Sequence, residues 1–101
     1  MIILDKHRDT LKKFVEIFGT TDQLNKLVEE MGHLTATIHR YNRKINKCKN
    51  EEERKALQSD CEDKLAQVLV LTEQAKLILD ESNISRFAEQ HINKTKQKIM
   101  L

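Results

Sequence analysis

A chain of 101 residues, 39% apolar and 34% charged, with two Gly, no Pro and no Trp, has room for one domain (1–101) with a modest core and none for a second. Its 18 basic and 16 acidic side chains nearly cancel to a formal net charge of +2, which disfavours nucleic acid as the main partner because a dedicated binder carries a large single-signed field. Straight-chain residues lose little rotamer freedom in a helix, and their abundance points to an all-α fold.

The N-terminal MIILDKHRD places four apolar residues before its first charge, far short of a signal-peptide core. No later segment approaches the ~20 apolar residues of a membrane span, so no membrane association and a cytoplasmic location are expected. Ile3, Leu4, His7, Leu11, Phe14, Val15 and Phe18 recur at helical spacing and predict one first helix, closed by Gly19. Thr20-Thr21-Asp22-Gln23 matches a capping box, and Leu24, Leu27, Val28, Met31, Leu34, Ile38, Tyr41 and Ile45 then hold one apolar stripe through a long second helix.

The pattern breaks at NKCKN, and the charge-rich stretch from Arg40 to Lys55 is the expected exposed elbow. Asn50 with Glu53 offers a cap for a third helix carrying Leu57, Cys61, Leu65, Val68, Thr72, Ala75 and Leu79. Its LAQVLVL stretch is apolar on more than one face, which predicts a helix lying between neighbours. Glu81-Ser82-Asn83 is expected to be a turn and cap before a shorter final helix with Ile84, Phe87, His91, Ile92, Thr95 and Ile99. Lysines gather near its end, where they suit the helix dipole. Four helices with short connections predict a four-helix bundle. Cys48 and Cys61 show neither a CxxC pairing nor zinc-finger spacing and read as reduced core thiols. His7 and His91 read as core-boundary residues. His39, Arg40, Tyr41, Arg43 and Lys44 form a basic stretch with one aromatic, most simply a solvated helix face.

On the second helix Gln23, Lys26, Glu30, His33 and Thr37 share one polar stripe, and on the third Asp60, Asp63, Lys64 and Gln67 do the same. Solvated faces of an ordinary bundle explain both stripes in general terms. Two residues call for more. Gly32 costs roughly 1 kcal/mol relative to Ala inside a helix, which suggests a close approach to its backbone. Gln67 lies in the most apolar helix, where an amide needs a partner. Two stripes facing each other across a cleft would account for both.

The arrangement QLNKLVEEMGHL, a basic elbow, EDKLAQVLVLTEQAKLIL and a C-terminal INKTKQKI resembles the small all-α MazG-like nucleotide pyrophosphohydrolases, in particular the short versions common in phages and Gram-positive bacteria. In that family E-x-x-E on one helix and E-x-x-D on the next gather four carboxylates around Mg²⁺. The resemblance places the first motif at Glu30-Met31-Gly32-His33 and the second at Lys64-Leu65-Ala66-Gln67. Glu30 keeps its acid, Glu29 supplies the acid that commonly precedes the motif, and His33, Lys64 and Gln67 depart from the pattern. Sliding the register by one would pair Asp63 with Ala66 or Glu62 with Leu65, at the expense of the apolar frame, so the first register is preferred.

Mg²⁺ wants hard oxygen ligands in near-octahedral geometry, which an imidazole nitrogen serves poorly. A lysine ammonium about 4 Å from the metal position would oppose a divalent ion by several kcal/mol. The expectation is therefore a non-catalytic MazG-like protein without a cofactor, which binds a nucleotide or a protein partner and serves in sequestration or interference with a host component. Gln23, Lys26, Lys64, Lys94 and Lys98 are its candidate phosphate contacts. The alternative is an active Mg²⁺-dependent pyrophosphohydrolase with a rearranged site of Glu29, Glu30 and Asp63 or Asp60. A third reading is a helical adaptor. The resemblance implies a homo-oligomer, a dimer or higher.

Overall fold

The computed structural model describes residues 2–100, with side chains from Leu4 to Met100. The contribution of the Ile3 side chain to the first apolar stripe lies outside the described residues. The first stretch folds as two helices rather than the single one expected. α1 (Ile2–Asp5) stops at a turn, and α2 (Arg8–Phe18) starts after His7, whose φ of −103° and ψ of 7° leave the helical region. The break lets Leu11 bury its side chain while Arg8 reaches Glu81 at 3.1 Å.

Gly19 ends α2 and begins α3 (Thr20–Lys44) within one residue, because its φ of +89° is open to glycine without a Cβ penalty. Thr20 is already helical, so the expected capping box makes no side-chain cap. A short 3₁₀ turn, Ile45–Lys47, carries the chain to α4 (Glu51–Ile78). Asn50 caps α4 as its sequence suggests: its side-chain oxygen accepts from the Glu53 backbone N–H at 2.9 Å, and the Glu53 carboxylate accepts from the Lys49 N–H at 2.8 Å. α5 (Glu81–Lys98) is capped by Asp80, whose carboxylate accepts from the Asn83 N–H at 3.0 Å. Glu81-Ser82-Asn83 is thus the first turn of α5 and not a turn preceding it.

α3 and α4, of 25 and 28 residues, form an antiparallel hairpin that carries most of the packing. Its register is fixed by an Arg40–Asp60 ion pair at 3.4 Å and by the Cys61 thiol donating to the Thr37 carbonyl at 3.7 Å. α2 lies against the far end of the hairpin, near Glu73 and Leu77. α4 therefore does lie between neighbours, but only over its last turns. α5 leaves from there, and from Ser85 to Met100 every residue is exposed.

The chain is all-α, with four main helices and no strand among the described residues. The four do not close into a compact bundle within one chain. The radius of gyration is 16.8 Å, against ~13 Å for a compact domain of this length. Leu11 and Ala75 are the buried hydrophobic residues among those described. Cys48 and Cys61 are free but only half-buried, and His7 and His91 are exposed rather than at a core boundary. No helix among the described residues is long and apolar enough to cross a membrane.

Candidate functional site

Glu30 is 8% exposed, an unusual place for a carboxylate on a two-helix hairpin. It is buried because the face of α3 turned toward α4 is not the centre of the apolar stripe but its polar flank, where Gln23 is half-buried and Thr37 buried. Thr37 satisfies its hydroxyl on the His33 carbonyl at 2.9 Å, one turn back. Glu30 finds its partners on its own helix. The Lys26 ammonium lies 3.6 Å from Glu30 Oε1 and 3.7 Å from Glu29 Oε1, and His33 Nδ1 lies 3.5 Å from Glu30 Oε2. That second oxygen is buried and makes no hydrogen bond.

Glu29, Glu30 and His33 each offer one ligand atom, all within 4.8 Å of one another. These three side chains come together within one turn of α3. The hairpin register, carried up from Thr37 opposite Cys61 and Arg40 opposite Asp60, also sets residues 30–33 roughly level with residues 65–70, so that Lys64 stands opposite residues 34–36. The opposite helix nevertheless does not complete the cluster. Lys64 is half-buried and forms no ion pair among the described residues, while Gln67 and Asp63 are exposed. Asp60 is engaged near the elbow with Arg40.

Two expectations fail on the solvent side. Gln67 does not need a buried partner, since α2 does not reach far enough along α4 to cover it. The buried amide is Gln74, two turns further on, 3% exposed and with its Oε1 lacking a hydrogen bond. Its seven-residue spacing from Gln67 marks the shared face; where α2 comes to rest on that face is what sequence periodicity could not supply. Gly32 meets no close approach either, as a Cβ built there would find nothing within 4 Å. Lys26 lies against the Glu29 and Glu30 carboxylates. Lys94 and Lys98 sit on the exposed part of α5, apart from the Glu30 cluster.

Two open grooves flank the hairpin. One of about 610 Å³ lies at the elbow, bordered by Lys44, Lys47, Glu53 and Asp60. The other, about 390 Å³, runs between α3 and α4 over Leu34, Ile38, Tyr41, Cys61 and Leu65. Neither opens on Glu30.

The donor set does not fit Mg²⁺. Two carboxylates and an imidazole from consecutive turns of one helix leave out the second-helix oxygens that a near-octahedral hard ion needs. Lys26 also holds the place between Glu29 and Glu30 that a cation would take, so the negative charge of the pair is largely answered from within. No family model matches the chain, and neither the curated proteins nor the solved structures searched give a match. What the chain is shown to be is an all-α protein with a long helical hairpin.

Proposed function

We propose that this chain is a non-catalytic, MazG-like helical protein that acts by binding, with a nucleotide or another protein as its ligand, and not by metal-dependent hydrolysis. The observation that carries the reading is Lys26: an ammonium sits 3.6 and 3.7 Å from the two carboxylates that the resemblance assigns to metal binding. Without a divalent ion there, the resembling family's way of polarising a phosphoryl group and generating hydroxide near neutral pH is absent. Lys64, half-buried opposite residues 34–36 of α3 and without an ion pair among the described residues, is the cation of α4 best placed for a phosphate.

A thermal-shift panel of nucleoside mono-, di- and triphosphates with and without Mg²⁺ tests this, because a ligand that prefers the folded state raises apparent stability. Stabilisation by a nucleotide that is unchanged by Mg²⁺ supports the nucleotide form of the reading. Stabilisation that requires Mg²⁺ contradicts it. The enzyme alternative keeps one specific observation in its favour, the unbonded buried Glu30 Oε2 beside Glu29 and His33. It requires Lys26 to swing away and a divalent ion to enter.

A further inference from the structure

α5 has no structural reason to hold its shape alone. It is an 18-residue helix, and every residue from Ser85 through its end at Lys98 and on to Met100 is exposed. Isolated helices near this length are marginal in water, and most helical stability in proteins comes from packing an apolar face. That face exists: Phe87, Ile92 and Ile99 are 49%, 56% and 61% exposed. The hairpin has the complementary defect, since its groove over Leu34, Ile38, Tyr41, Cys61 and Leu65 is open to water and Val28 and Met31 beside it are uncovered.

The area involved decides what covers them. The chain exposes 8010 Å², whereas a compact monomer of its mass exposes roughly 6,000 Å². An excess of roughly 2,000 Å² per chain is what an obligate dimer interface removes, and is well above the ~800 Å² per partner of a standard transient contact. Charge selects the occupant as well. From His91 to Lys98 α5 carries three lysines and no acid, and the charged side chain that lines the groove is Glu62. One chain thus carries both the apolar, basic arm and an apolar trough, with Glu62 on its rim, that can take it.

We propose that α5 is an exchanged arm: in a two-fold pair of chains each α5 lays its Phe87, Ile92 and Ile99 face into the α3/α4 groove of a second copy. The contact is isologous and occurs twice, so the pair is closed. This inference rests on exposed area and charge and is independent of the nucleotide reading.

Sedimentation of the whole chain at micromolar concentration tests it, with Ile92→Glu disabling the arm and Leu65→Glu disabling the groove. Parent protein sediments at two chain masses or an even multiple, each variant alone at one, and circular dichroism confirms that the α3/α4 helicity survives. An equimolar mixture of the two variants regains a two-chain species, because the intact arm of one meets the intact groove of the other. A monomeric parent, a dimeric variant or a mixture no more associated than its components overturns the proposal. If either variant fails to fold, the charge reversal Lys94→Glu/Lys98→Glu on exposed positions replaces it, with association weakened roughly tenfold at low ionic strength. Unchanged association in that variant also overturns the placement of the arm.

Discussion

Lys26→Met should turn a self-neutralised cluster into a cation-seeking one. The ammonium lies 3.6 Å from Glu30 Oε1, a gross attraction of about 4–5 kcal/mol at an effective dielectric constant near 20. Lys26 is half exposed, so solvent screening and side-chain ordering reduce the net loss on removal to about 1–2 kcal/mol. The loss comes from stranding Glu30, so it should vanish when Lys26→Met is made in a Glu30→Gln background. The same variant leaves Glu29, Glu30 and His33 within reach of one another with no resident cation. Mn²⁺, which accepts both oxygen and nitrogen ligands, should now bind. With a dissociation constant near 100 µM, 1 mM Mn²⁺ restores about 1.4 kcal/mol by linkage. Urea unfolding followed by circular dichroism, at fixed protein concentration and with or without Mn²⁺, reads both effects. Lys26→Met with parental stability, or a Mn²⁺ response equal in parent and variant, would refute the assignment of Lys26 as the internal counter-ion.

Three further outcomes follow from single residues. Gly32→Ala meets open space and ordinary helical backbone, so it should raise stability by about 1 kcal/mol, roughly 4–8 °C in melting temperature; a loss would mean that something does approach this backbone. Gln74→Leu removes a buried amide oxygen that has no hydrogen bond and should be neutral or stabilising by about 1 kcal/mol in urea unfolding, whereas a large loss would show a hidden partner. The Arg8 hydrogen bond holds the Glu81 carboxyl below the usual carboxylate range, so its contribution is complete above that range and is lost as pH falls through the lowered value. Arg8→Gln should therefore flatten the acid side of the stability–pH profile and leave the shape above pH 6 unchanged; an unaltered acid limb would mean the pair is inert.

Helix existence was written in the chain to different depths at different places. The stripe from Leu24 to Ile45 and the Asn50 cap sufficed to place α3 and the start of α4, because a long 3.6-residue period and an Asn–Glu pair are local signals. The break at Lys6-His7 was illegible, since the apolar spacing runs through it without interruption; the Arg8–Glu81 contact beside it spans most of the sequence. Thr20 read as the start of a capping box, yet Gly19 alone makes the corner, and a glycine at positive φ serves as helix end and helix start at once. The polar stripe of α3 was legible in the sequence and brings Glu29, Glu30 and His33 within one turn, whereas the helix-to-helix placement of Lys64 and Gln67 depends on the hairpin register. Gln67 and Gln74 are indistinguishable by periodicity, and only the resting place of α2 buries one and leaves the other in water.

The uncovered α5 follows the same logic. Its stripe of Ile84, Phe87, Ile92 and Ile99 correctly predicts a helix, but a stripe says that a face must be buried and not which chain buries it.

The proposed function requires that the Glu30 carboxylate does not support hydrolysis. Release of pyrophosphate or phosphate from a panel of NTPs and dNTPs, in saturating Mg²⁺ and then Mn²⁺, tests it most directly, with Glu30→Ala as the reference. The same background release is expected from both proteins. Metal-dependent turnover by the parent that Glu30→Ala abolishes would contradict it.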